Sequence, residues 1–154
     1  MLSPTNNQGG VKMREKLKIA VESYKNGCTC SQAVISAFAE DMGLSAETAY
    51  RIMEGFGGGF GGRQEVCGAF SAAVAVVSFY CSSGSMDGKS KVETYKIINR
   101  MAELYEERYG SVVCREILNG EKPRPFKCGG KVVDAVIAAC RILSEEKKNA
   151  EIVT

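Results

Sequence analysis

Between Gly55 and Ala73 the sequence runs GFGGGFGGRQEVCGAFSAA, and five of the six residues from 57 to 62 are glycine. Glycine loses more backbone freedom on folding than any other residue, so this run makes a poor core element. It suits a connection where the backbone takes positive φ or comes close to another group. Directly after it, Cys67–Tyr80 carries no charged side chain. A helix that is apolar on all sides is buried on all sides. The stretch is therefore the predicted central helix, with a thiol at its mouth and glycine backbone beside it. Taken alone, Cys67 in such a place is a buried small side chain next to a tight turn.

A chain of 154 residues is long enough for one domain with a sizeable core. Its net charge of +2 comes from interleaved acids and bases, which points to neither nucleic acid nor a membrane surface as a partner. The polar start MLSPTNNQGG lacks the charged and apolar regions of a signal peptide. A reducing, cytoplasmic location is expected, and there cysteines bind metal or do redox chemistry more often than they form structural disulfides. Seven cysteines cannot all pair within one chain. The sequence has no histidine. That removes histidine-ligated haem, Cys/His zinc sites and any nucleophile–histidine triad.

Apolar periodicity predicts helices joined by short connections. Residues 1–11 read as a loosely attached leader, 12–147 as the folded domain and 148–154 as a frayed tail. The first helix spans Lys12–Asn26, stopped by Gly27. The second runs from Cys30 to about Met42, capped by Thr29 or Ser31, with Cys30, Ala33, Val34, Ala37 and Phe38 inward. Ser45 caps a helix over Ala46–Glu54. After the central helix, Lys91–Tyr109 presents Tyr95, Ile98, Ala102, Tyr105 and Tyr109 as its inner stripe, a core face rather than a cofactor box. A short helix follows over Val112–Leu118, capped by Ser111. Pro123 and Pro125 keep 119–128 out of a helix, and Lys131–Glu146 forms the last one. No strand-like alternation appears. The predicted fold is all-α, a single-domain bundle of about five or six helices.

Against these elements the cysteines separate. Cys30, Cys67, Cys114 and Cys128 each lie in, or just before, the first turn of a predicted helix. Cys81 ends a helix and Cys140 sits mid-helix on an apolar face, positions of small core residues. Cys28, in a connection, fits either a spare thiol or a second ligand beside Cys30. Helix starts carry unpaired N–H groups and partial positive charge, which lower a thiol pKa and favour an anionic centre. Four thiols on four elements can converge in a bundle and ligate an iron–sulfur cluster, most simply [2Fe–2S]. Gly58, Gly59, Gly62 and Gly68 would supply close backbone around it. The same set admits a reversible disulfide between two thiols, a structural zinc site with four cysteine ligands, or inert packing. No CxxC occurs, so the zinc-ribbon and bacterial ferredoxin spacings are both missing. Gly57, Gly59 and Gly62 match G-x-G-x-x-G, but no strand precedes them, as a dinucleotide fingerprint requires.

Cys67-Gly68-Ala69 behind its glycine loop resembles the centre of the C_GCAxxG_C_C family of redox-active proteins. The resemblance runs from about Lys16 to Leu143. It aligns Cys30, in Cys30-Ser31-Gln32-Ala33-Val34, with the first family cysteine and Cys67 with the central one. Cys114, in Gly110-Ser111-Val112-Val113-Cys114-Arg115-Glu116, aligns with the third and Cys128 with the fourth. The order here is Cys-Gly-Ala where the family's name has Gly-Cys-Ala, and Ala72 stands where the closing glycine would be. The family resembles part of the split-Soret cytochromes, which pair haem with an iron–sulfur centre. Without histidine or a haem-attachment motif, only the cysteine centre carries over. The resemblance supports the four-thiol site more than it defines a reaction. An electron-transfer role calls for a redox partner protein whose identity the sequence leaves open, and a homodimer is compatible with it.

Overall fold

A computed structural model describes residues 6–153. Seven helices are found among them: α1 (Asn6–Lys25), α2 (Cys30–Ser36), α3 (Ala46–Met53), α4 (Gly68–Cys81), α5 (Lys91–Tyr109), α6 (Cys114–Ile117) and α7 (Gly129–Val153). The all-α expectation holds. The count exceeds the expected five or six and matches the seven segments named from the periodicity; two are short, α6 a single turn of 4 residues and α2 with 7. No described helix is long and apolar enough to cross a membrane.

The short α2 lies at the middle, packed on α1, α3, α4 and α7, and α4 packs on α2, α5 and α7. Ala69, Ala72, Ala73, Val76 and Val77 of α4 have 5% exposure or less and meet Val132, Ala135, Val136, Ala139 and Ile142 of α7 in one core cluster. Small residues let the two helices approach closely, and each buried valine contributes about 1.5–3 kcal/mol relative to exposure. Buried polar groups in α2 are satisfied. Ser31 Oγ donates to the Met53 carbonyl at 2.7 Å, and Gln32 closes a capping box with Thr29.

Helix ends depart from the periodicity in four places. Helix α1 begins at Asn6, so the expected leader is helical over 6–11 and its first five residues lie outside the described residues. Helix α7 runs on to Val153 through the stretch expected to fray, which is rich in the strong helix formers Glu, Lys and Ala. Helix α2 stops at Ser36, not Met42: Ser36 Oγ turns back to the Ala33 carbonyl, and Ala37 and Phe38 bond three residues back, tightening the chain. Helix α6 starts at Cys114, because Ser111 Oγ accepts from Val113 N–H two residues on instead of capping a helix at 112.

The inner stripe of α5 also differs. Thr94, Ile97, Met101 and Tyr105 are buried, while Tyr95 is 63% exposed and is not a core residue. Tyr95 and Ile97 cannot both face inward, and the fully buried Met101 and Tyr105 set the register toward Ile97.

Between α3 and α4 a 3-10 turn, Glu54–Phe56, leads into the glycine run. Five successive residues, Gly58 to Gly62, have positive φ, Phe60 among them at 65°. The result is a left-handed turn, costly for L-residues and accessible to glycine. It is pinned at both ends. A Cβ on Gly57 would lie 2.6 Å from Thr29 Cβ, and one on Gly59 would lie 2.6 Å from Glu65 N. The chain then forms an isolated antiparallel bridge, Val66 with Val113.

Gly59→Ala should therefore destabilise the fold by about 2 kcal/mol or more, combining positive φ with a backbone collision. Gly61→Ala, also at positive φ but facing open space, should cost only about 1 kcal/mol. Chemical denaturation of the two variants measures the difference, and equal losses would contradict this account of the turn.

Candidate functional site

The bridge between 66 and 113 brings two cysteines side by side. Cys67 N–H donates to the Val112 carbonyl at 2.7 Å, and Cys114 N–H donates to the Glu65 carbonyl at 2.6 Å. Cys67 then occupies the N-cap position of α4 and Cys114 the first position of α6. Cys30 arrives from the first position of α2. Its sulfur rests on the start of α4, where a Cβ on Gly68 would lie 2.7 Å from it and 2.6 Å from the Phe56 carbonyl oxygen. Cys128 sits just before α7, and its carbonyl accepts from Val132 N–H at 3.0 Å.

The four thiols act on one another. Negative charge on Cys67 and Cys128 disfavours ionisation of Cys30, and charge on Cys67, Cys128 and Cys30 disfavours that of Cys114. Cys128 feels Cys67 in the same way. The remaining cysteines answer to other neighbours. Cys81 feels Glu146 and Arg100, and Cys140 feels Lys16 and Asp41. Cys28 is half-buried in the turn after α1, its N–H on the Ser23 carbonyl at 3.2 Å. Among the described residues, no three His, Cys, Asp or Glu side chains are placed to hold a metal ion as they stand.

The sulfurs differ in what stabilises them, though Cys114 and Cys128 share Lys131. Gly58 N–H donates to the Cys30 sulfur and favours its thiolate. Gly68 provides the clearance just described. Gly59 and Gly62 instead close the turn on itself: the Gly59 carbonyl accepts from Glu65 N–H, and Gly62 N–H donates to the Gly57 carbonyl. Tyr105 Oη lies 3.3 Å from Cys67 Sγ, and Tyr24 hydrogen-bonds the Cys128 thiol while accepting its N–H at 3.0 Å. The positive charge of Lys131 favours the thiolates of both Cys114 and Cys128. From Tyr105 an aromatic column leads outward. Its ring centroid is 4.8 Å from that of Tyr109, whose hydroxyl donates to Asp134, and Asp134 pairs with Arg108 at 3.4 Å.

The family described as "Putative redox-active protein (C_GCAxxG_C_C)" matches residues 28–142. The chain belongs to that family. No curated protein and no solved structure matches it. The span shared with the family contains Cys30, Cys67, Cys114 and Cys128, the glycine turn and Tyr105. Gly68, which follows Cys67 in this chain, leaves no room for a side chain: an added Cβ would lie 2.7 Å from the Cys30 sulfur and 2.6 Å from the Phe56 carbonyl oxygen. Ala72, where the family pattern closes on glycine, is fully buried against the core.

Two findings correct or extend the sequence reading. Helix starts were expected to lower the thiol pKa values, yet those of Cys30, Cys114 and Cys128 are raised, first by burial and then by mutual repulsion. A partial helix charge falls off within one turn and does not offset desolvation plus neighbouring thiolates. The tyrosines on sulfur were missed. Tyr105 had been placed on an apolar stripe, and nothing in the spacing ties Tyr24 to a residue more than a hundred positions away.

The Cys114 thiol is pushed from its ordinary 9.0 to about 11. Below pH 9 folded and unfolded chains both hold this proton. Between 9 and 11 the unfolded chain releases it and the folded chain keeps it, so the folded state loses stability as pH rises. In protein stripped of metal with a chelator under reducing conditions, Tm should decline from pH 9 upward, and less steeply in Cys114→Ser. Thermal scans from pH 7 to 11 check this, and identical slopes for the two proteins would refute it.

Proposed function

We propose that Cys30, Cys67, Cys114 and Cys128 form one electron-transfer centre, as the four thiolate ligands of an iron–sulfur cluster of the [2Fe–2S] kind. The observation that supports this reading is the mutual electrostatic action of four thiols brought from four separate segments. The donor set suits the group: four sulfurs, N–H and O–H donors directed at them, and a lysine nearby to offset negative charge. When bound, such a cluster accepts and releases single electrons. A two-iron unit is also wider than an ion, which suits thiols that share a space without closing on one point. The protein's part is to hold the sulfurs apart from bulk water and to keep Gly58 N–H on Cys30. The hydroxyls of Tyr105 and Tyr24 remain on Cys67 and Cys128.

Thiol–disulfide exchange is the weaker reading. Attack requires thiolate, and burial keeps Cys30, Cys114 and Cys128 protonated at neutral pH.

Protein produced with ample iron and purified without oxygen should be brown, with iron and acid-labile sulfide in equal amounts. Serine at 30, 67, 114 or 128 should abolish or greatly lower both, whereas serine at 28, 81 or 140 should leave them unchanged. Colourless protein holding one zinc per chain, or holding no metal and forming a reversible disulfide, would overturn the cluster reading. In the loaded protein, Tyr105→Phe removes a hydrogen bond worth roughly 1 kcal/mol. It should lower the midpoint potential by a few tens of millivolts, because hydrogen bonds to sulfur favour the electron-rich state. A potentiometric titration that leaves the value unmoved would remove Tyr105 from the site.

A further inference from the structure

A cavity of about 370 Å³ opens beside Cys128, lined by Val21, Tyr24, Lys25, Phe126, Gly129 and Val132. That volume lies in the range of small-molecule sites, roughly 300–1,000 Å³. One wall is the last turns of α1 and the other is the first turn of α7, with Phe126 at the rim from the proline-containing connection. Tyr24 belongs to both the cavity and the thiol site. Its ring lines the space, and its hydroxyl accepts from Cys128 N–H at 3.0 Å.

Two features show a space held open. Phe126 is 61% exposed and has a φ of 65°, a conformation unfavourable for a bulky L-residue, yet its ring stands edge-on to Tyr24 at 6.2 Å. Strain of this kind in an ordered segment leads from an observed outlier to a functional hypothesis. At Gly129 the nearest atom to an added Cβ would be Tyr24 Cε1 at 3.9 Å, so a larger side chain would fit by filling the cavity. The lining is apolar apart from the Tyr24 hydroxyl and Lys25, and Lys25 is the one charged residue among the described residues that line it.

We propose that this cavity binds a small planar aromatic molecule carrying one anionic group, its rings among Val21, Tyr24 and Phe126 and its charge toward Lys25. Binding stands on the cavity alone, and only its place next to a redox centre rests on the four-thiol reading. A ligand there lies one side chain, Tyr24, from Cys128.

The probe is 8-anilinonaphthalene-1-sulfonate, titrated by fluorescence and calorimetry into the purified full chain under reducing conditions. One probe per chain is expected. Val21→Trp should weaken binding at least tenfold, and Phe79→Ser, at an exposed ring outside the cavity, should change it less than twofold. Lys25→Gln should weaken binding two- to fivefold, as for a solvent-exposed ion pair. It should leave the neutral analogue N-phenyl-1-naphthylamine unaffected. If Val21→Trp loses helical circular dichroism, Gly129→Leu is judged by the same criterion. Unchanged affinity in the cavity-filling variant, or an equal loss in Phe79→Ser, overturns the proposal. Iron and sulfide content is measured separately, so a protein that binds the probe but holds no cluster sinks only the preceding reading. A brown protein that ignores the cavity variants sinks only this one.

Discussion

Where the glycine turn passes Thr29 and Glu65 there is room for backbone and for nothing else. Side chains at Gly57, Gly59 and Gly68 would meet, in turn, Thr29, the Gln64–Glu65 backbone, and the Cys30 sulfur with the Phe56 carbonyl. Those contacts hold three cysteine-bearing segments together. Thr29 caps the helix that begins with Cys30, and Glu65 bonds the backbone of Cys114. Gly68 opens the helix capped by Cys67. A left-handed turn of five residues is a poor way to join two helices on conformational grounds. It is understandable as the way to bring three backbones within hydrogen-bonding distance without side chains between them.

Two opposing influences meet at the sulfurs. Helix starts favour negative charge by about 0.3–1 kcal/mol each near a surface. Burial and neighbouring thiolates disfavour it, and the raised pKa values of Cys30, Cys114 and Cys128 show which is larger in the free-thiol protein. Such a site favours a single proton-bearing state until positive charge enters among the sulfurs. Metal binding displaces those protons, so affinity for any thiolate-bound group must itself depend on pH.

Local chemistry was legible where neighbours in sequence decide the outcome. Helix α5 has the bounds its periodicity implied, Thr29 and Ser45 cap as their side chains allow, and Gly27 and Gly110 take positive φ just past the ends of α1 and α5. Grouping the cysteines by helix start put together Cys30, Cys67, Cys114 and Cys128, the thiols whose charges bear on one another, whereas Cys81 and Cys140 answer to other neighbours. What escaped was set by tertiary contact. The Val66–Val113 bridge is one residue pair long and leaves no alternation to detect. Tyr95 and Ile97 offer equally apolar faces, and only packing of Met101 and Tyr105 chose between them. Direct donation from glycine backbone to sulfur was legible for the run as a whole. Which glycine does it depended on the hand of the turn, and of the four expected residues it is Gly58 that has its N–H on a thiol.

The site is also uneven, and the unevenness bears on where electrons would rest in the proposed centre. Cys67 and Cys30 are stabilised by hydrogen bonds, from Tyr105 and from Gly58. Cys114 and Cys128 lie in the field of Lys131, and Cys128 in that of Lys127 as well. A full positive charge at moderate range outweighs one neutral hydrogen bond in a partly buried setting. In the proposed centre an added electron would be favoured near Cys128, where Lys131, Lys127 and the Tyr24 hydroxyl all act. The four sulfurs are inequivalent in the free protein, and any group they held would inherit that inequivalence.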